Sequence, residues 1–245
     1  MDDVVLEIDN KSLTNRPDLW GHYGIAREIA AIYNVPLKEL PTVKIDSSLP
    51  KYKVEIKEPE KCNRYAAIEM DGVYVKESPL WMKADLIKAG MRPINAIVDI
   101  TNYVMEEYGQ PMHAYDYDAI AGHSLVARKA VAGENLHTLD DSQRLAKGTE
   151  LVIADAEKAA GLAGVMGGLE TEVTEKTTTI VLEAACFNGP SIRRTSRGCG
   201  LHSEASGRFE RGTDVTGTIR ALDRAAQLLQ DMGACTVTQG VVDVY

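Results

Sequence analysis

The sequence contains no apolar run approaching the ~20 residues that a membrane span needs. Its start, MDDVVLEIDN, shows no basic region followed by an apolar stretch, so no secretory signal is visible. The four cysteines, at 62, 186, 199 and 235, form no CxxC pair and no zinc-type spacing. Reduced thiols in a cytoplasmic protein are the simplest account. Positive charge is also scarce: the net charge is −9. A free-standing nucleic-acid binder is usually basic, because phosphate neutralisation supplies most of its affinity. The bulk charge therefore gives no sign of a chain that grips RNA or DNA by charge alone. One local exception is Arg193, Arg194 and Arg197, followed by Arg208 and Arg211. Their simplest reading is a set of surface ion pairs with nearby glutamates.

Familiar reactive motifs are missing too. GLAGVMGG at 161–168 is neither GxGxxG nor a loop ending in GK[ST], and no helix pattern follows it. Its paired glycines, Gly167 and Gly168, suit a tight turn or a close backbone approach. There is no HxxxH or His–Cys cluster, so no transition-metal site is expected. GxSxG is absent as well. Ser203, His113 and Asp116 make a triad only on paper. His113, in GQPMHAYDYD, suits a hydrogen-bonded structural role or a catalytic one, with Asp116 and Asp118 as candidates to orient its ring.

What is present is an ordinary globular composition, 44% hydrophobic and 26% charged over 245 residues, enough to bury a core. VVLEI at 4–8 reads as a strand. Asp18 opens a helix with Ile25, Ile29 and Ile32 on one face, and Pro36 ends it. The proline- and serine-bearing stretch from Pro36 to Lys53 reads as a linker. Residues 53–57 and 64–75 alternate like strands. Helices follow from Ser78-Pro79 to Gly90 and from Pro93 to Gly109. Residues 124–131, 150–155, 160–166 and 178–183 are strand-like, 216–232 an amphipathic helix, and TVTQGVVDVY a final strand. Strands and helices do not alternate regularly. The expected class is α+β, with mixed or antiparallel sheets and flanking helices.

Two stretches stand apart. LEAACF at 182–187 puts Glu183 inside an apolar strand, which demands an arginine partner or a cavity. GCGLHSEASGRFERGTD at 198–214 holds few large hydrophobes. It can be a solvated loop, a metal or nucleophile site, or a pocket wall.

Together, DNKSLTNRPDLWGHYGIAREIAAIY, MRPINAIVDITNYVMEEYGQPMHAYD, GVMGG and LEAACFNGPSIRRTSRGCGLHSEASGRFERGTD resemble the bacterial-type phenylalanyl-tRNA synthetase β subunit, in its central B3/B4 region. The resemblance covers nearly the whole chain. It implies a fragment of that subunit, with residues 1–50 a leader helix and linker and residues 51–245 the B3/B4 editing domain. It implies hydrolysis of tyrosine misattached to tRNA(Phe), alongside the α subunit of an α2β2 enzyme. The implied partner is the tRNA(Phe) 3′ end, with no DNA and no membrane. No cofactor is implied for this region, ATP and Mg²⁺ belonging to the full synthetase. The family's pocket positions fall on Arg92, His113, Gly167, Glu183, Ser203 and Ala205, with His113, Glu183 and Ser203 nearest the chemistry. Ser203 stands where many family members have Thr, which keeps the hydroxyl and loses a methyl. The resemblance turns 198–214 into a pocket wall, with Arg208, Glu210 and Arg211 as an ion-pair brace or as phosphate contacts. Two other readings stay open: a non-catalytic tRNA-docking or structural module, and a free-standing relative acting in trans.

Overall fold

The computed structural model describes Val4, residues 7–43 and residues 52–245, with the backbone alone for 237–239. In chain order its elements are α1 (His22–Tyr33), β1 (Lys53–Ile56), β2 (Cys62–Asp71), α2 (Leu80–Lys88), α3 (Ala96–Tyr108), β3 (Met112–Asp116), β4 (Ser124–Lys129), β5 (Asn135–Thr138) and β6 (Ser142–Leu145). They continue with β7 (Leu151–Ala154), β8 (Ala159–Leu162), β9 (Met166–Gly167), β10 (Thr179–Phe187), α4 (Gly189–Cys199), α5 (Glu204–Phe209), α6 (Thr218–Asp231) and β11 (Thr236–Val244).

The strands form a sheet ordered β1-β4-β7-β8-β9, a second ordered β11-β2-β10-β3, and the hairpin β5-β6. Among the described residues only β1 with β4 is parallel; the remaining ladders are antiparallel. This is the expected α+β class. Strand β10 lies centrally, which explains its near-continuous apolar run: both its faces are covered. Because side chains alternate across a strand, Tyr65, Ala67, Tyr115, Val181 and Ala185 pack into one core with the five-stranded sheet. Ile68, Met70, Ala114, Ile180 and Leu182 pack into the other, with residues of α3 and α6.

The helix ends follow local chemistry. Asn95 caps α3, its side chain accepting from the amides of Ile97 and Val98, and Gly109 closes it in the left-handed conformation. The α3 helix therefore starts at Ala96 rather than at Pro93. The leader departs from expectation. Helix α1 begins after Gly21, not at Asp18, which sits in a 3-10 turn and pairs with Arg16 and Arg27 at 2.8 and 2.7 Å. It ends at Asn34, in the left-handed conformation, two residues before Pro36. Its isoleucines do not form a buried stripe: Ile29 is 48% exposed and Ile32 68%. Glycine dictates the packing instead. A Cβ on Gly21 would stand 2.4 Å from the Gly109 amide nitrogen, and one on Gly24 would stand 1.6 Å from the Asp18 carbonyl oxygen. Only glycine lets these backbones meet. The expected strand at 4–8 lies partly outside the described residues, and Val4, Glu7 and Ile8 are in no strand. Residues 44–51 of the expected linker are also outside them, and 35–43 carry no regular structure.

Candidate functional site

The centre of the site is set by strand register. Glu183 on β10 is directly opposite His113 on β3 and Ala67 on β2. Tyr115 and Tyr65 therefore take the diagonal positions on the same face, within reach of a long side chain. Both donate their hydroxyls to Glu183 Oε2, Tyr65 at 2.5 Å and Tyr115 at 2.7 Å. Glu183 is 6% exposed. The choice between an arginine partner and a cavity thus resolves differently: the carboxylate is held by two phenols. Burial raises its pKa above the ordinary carboxylate value, while the tyrosine hydrogen bonds pull the other way. Burial, and then the charge of Glu183, push both tyrosines well above the usual phenol range.

His113 stands edge-on to Tyr115, ring centroids 4.5 Å apart at 84°. Its Nε2 is buried and has no hydrogen-bond partner among the described residues. Burial lowers its pKa to about 4, so the ring is neutral at physiological pH. Neither expected carboxylate orients it. Asp116 accepts from the Thr177 hydroxyl and the Asp118 amide. Opposite the ring is the glycine turn. A Cβ on Gly167 would fall 2.5 Å from His113 Cε1 and 2.8 Å from Nε2.

Residues 198–214 are not a loop. They contain the end of α4, the short helix α5 and a turn. Ser203 is the N-cap of α5, in a capping box with Ser206. Its Oγ accepts from the Ser206 amide at 3.1 Å and donates weakly to the Val165 carbonyl at 3.4 Å. It therefore meets the 165–167 turn from the α5 side and makes no triad with His113 and Asp116. Ala205 lies half-buried in the first turn of α5. Arg92 is exposed on the α2–α3 loop and forms no ion pair with a described residue. The structure thus gathers Glu183, His113 and Gly167, brings Ser203 to the same turn, and leaves Arg92 at the surface.

The brace exists with altered partners. Arg208, 7% exposed, pairs with Glu106 at 2.7 Å and Glu204 at 2.9 Å and donates to the Trp20 carbonyl. Arg211 pairs with Glu210 and stacks over the Trp20 ring at 4.4 Å. A groove of about 970 Å³ runs along this leader–α5 junction, but none of the six candidate residues lines it. Among the described residues no three His, Cys, Asp or Glu side chains cluster to hold a metal ion, and no helix is long and apolar enough to cross a membrane.

Tyr65 and Tyr115 were not singled out from the sequence. RYAAIEM and HAYD carry each tyrosine on an alternating segment, but only the register shows that both alternations face Glu183.

Residues 61–234 match the B3/4 domain family, and the chain belongs to it. The particular likeness is to the beta subunit of phenylalanine-tRNA ligase. The subunit from Moorella thermoacetica is 48% identical, over 99% of this chain and 30% of that protein. The one from Solibacter usitatus is 44% identical, over 98% of this chain and 32% of that protein. The chain thus spans about 30% of the length of the curated relatives it matches. An N-terminal fragment of the phenylalanyl-tRNA synthetase beta-subunit from Pyrococcus horikoshii shares the fold. Its TM-score is 0.50 at 14% identity, covering 96% of this chain and 61% of the fragment.

Proposed function

We propose that this domain hydrolyses the ester linking tyrosine to tRNA(Phe), as the proofreading site of a cytoplasmic α2β2 phenylalanine-tRNA ligase. The need is chemical. Tyrosine is phenylalanine plus one hydroxyl, and an apolar synthetic pocket rejects such an isostere by only ~10²-fold. A site that hydrogen-bonds the hydroxyl discriminates in the opposite sense by roughly 10⁴–10⁵, since phenylalanine leaves a buried polar group unpaired.

One observation carries the reading: Glu183 is a buried carboxylate already accepting two phenol hydroxyls, both at Oε2. A carboxylate offers about four lone-pair sites, so a substrate phenol is the donor that Oε1 suits. Gly167 lets the backbone approach the ring. His113, neutral and with Nε2 unpartnered, and Arg92 from the surface loop position the ester end and the terminal adenosine. Ser203 and Ala205 border the turn. In the reaction a water oxygen bonds to the carbonyl carbon, the ester C–O bond breaks, and the ribose oxygen takes the proton. An aminoacyl ester is already activated, so positioning that water carries most of the catalysis.

The test is release of tyrosine from Tyr-tRNA(Phe), beside Phe-tRNA(Phe), by the wild type and Glu183→Ala, both as the isolated chain and within the full synthetase. Tyrosine-selective release lost in the variant is expected. An unchanged tyrosine-to-phenylalanine ratio sinks the role of Glu183. No release in either setting leaves the docking-module reading, which the commitment of the Ser203 hydroxyl to its cap favours.

A further inference from the structure

The basic exception in the sequence splits in two. Arg208 and Arg211 are consumed by glutamates. Arg193, Arg194 and Arg197 are not. They lie exposed on α4, Arg197 one turn on from the adjacent pair Arg193 and Arg194, and none forms an ion pair or side-chain hydrogen bond with a described residue. The buried face of α4 is Ser191, Ile192, Thr195 and Ser196, so the three guanidiniums share the outward side. Lys147 joins them: its Nζ lies 3.9 Å from a Cβ built on Gly198.

Like charges one helical turn apart repel. The helix dipole favours Arg197, in the last turn, but not Arg193 or Arg194. The neighbouring acids are committed elsewhere. Glu150 is turned inward and accepts from the amides of Lys147 and Thr149. Asp140 takes Arg144 and the Thr138 hydroxyl. A four-cation face whose side chains pair with no carboxylate among the described residues, on a chain of net charge −9, suits an external polyanion.

This face connects to the site by short contacts. Arg144 donates to the carbonyl of Cys199, the last residue of α4, at 3.4 Å, and pairs with Asp140. Leu139, next in the chain, donates its amide to the Gly167 carbonyl at 3.0 Å, and Gly167 abuts His113.

We propose that the outer face of α4, with Lys147, docks the sugar–phosphate backbone of an RNA strand whose 3′ end enters the Glu183–His113 site. The assignment of RNA rests on the proofreading reading; the cationic face itself does not. Guanidinium forks match phosphate oxygens in pairs, and the surface reads no base sequence.

The experiment is fluorescence anisotropy of a 5′-fluorescein RNA hairpin ending in single-stranded CCA, titrated with the chain between 50 and 200 mM salt. Each phosphate neutralised contributes about 0.7 to 0.9 to the slope of log affinity against log salt. The triple variant R193Q/R194Q/R197Q should be shallower by about 2 to 3 and bind at least about tenfold more weakly at 50 mM. The triple Lys variant should keep the slope, and single R194Q should show about a third of the change seen in the triple Gln variant. An unchanged slope in the Gln variant, or no binding by the wild type, overturns the proposal. So does poly-glutamate displacing the RNA as well as unlabelled RNA does, which would make this a surface for an acidic protein. Binding is read without ester cleavage, so failed deacylation with an intact slope difference overturns the proofreading reading and leaves the surface standing.

Discussion

Gly167 is the back wall of His113: a Cβ at 167 would stand 2.5 Å from Cε1 of the ring and 2.8 Å from Nε2. The ring cannot easily retreat, because Tyr115 meets it edge-on from within its own strand. Gly167→Ala should therefore overpack the site, costing about 1–3 kcal/mol and lowering tyrosine release. The contact itself is checked with a double-mutant cycle in thermal melts. In a His113→Ala background the added methyl should cost much less. An equal cost in both backgrounds would place the strain elsewhere.

His113 should make stability fall in acid. Its folded pKa, about 4, is below its ordinary value of 6.5. The unfolded chain then binds the proton first, so the stability present above pH 6.5 is lost as pH falls toward 4. The loss is roughly 3 kcal/mol. Denaturant titrations at stepped pH should show His113→Gln with a flatter profile across that window. Parallel profiles would contradict a neutral imidazole with a lowered pKa.

Glu183 should act with the opposite sign. Its folded pKa is raised above 4.5 by burial. Below pH 4.5 the carboxyl is protonated folded and unfolded alike. As pH rises, the unfolded chain ionises first, and the stability tied to the protonated form is lost through the folded pKa. Glu183→Gln keeps an acceptor for the tyrosine hydroxyls and cannot ionise. Its melting temperature should gain on the wild type as pH rises from 4 to 8, and a constant difference would count against the raised pKa.

Ser203 is predicted to matter first as a cap. Ser203→Ala removes half of the capping box on α5 and should cost about 1 kcal/mol. Ser203→Thr keeps the oxygen and should restore most of it. Chemical denaturation reads both. If Ala melted like wild type while tyrosine release vanished, the hydroxyl would belong to the chemistry and not to the helix.

The elements legible in the sequence are those whose pattern is local. Helices α2, α3 and α6 and strands β1, β2, β4, β7, β8, β10 and β11 announce themselves by period and by Pro, Asn or Gly near their ends. Helix α4 did not, because SIRRTSRG buries Ser191, Thr195 and Ser196 beside a single isoleucine, and small polar residues give no hydrophobic stripe. Strand β3 was hidden for a related reason: five residues, MHAYD, take their identity from pairing with β10.

Composition and periodicity, which act over one or two turns of chain, were enough for the α+β class and for the buried strand bearing Glu183; the family came from the resemblance of long motifs to a known one. What surrounds Glu183 was decided by register. Tyr65 is 118 positions away and Tyr115 is 68, and only the antiparallel ladders of β2, β10 and β3 bring them to one face with His113. A one-residue slip in either ladder would turn a tyrosine to the opposite core. The division of the arginines, Arg208 into buried pairs and Arg193, Arg194 and Arg197 into solvent, follows in the same way from which helix face the core covers.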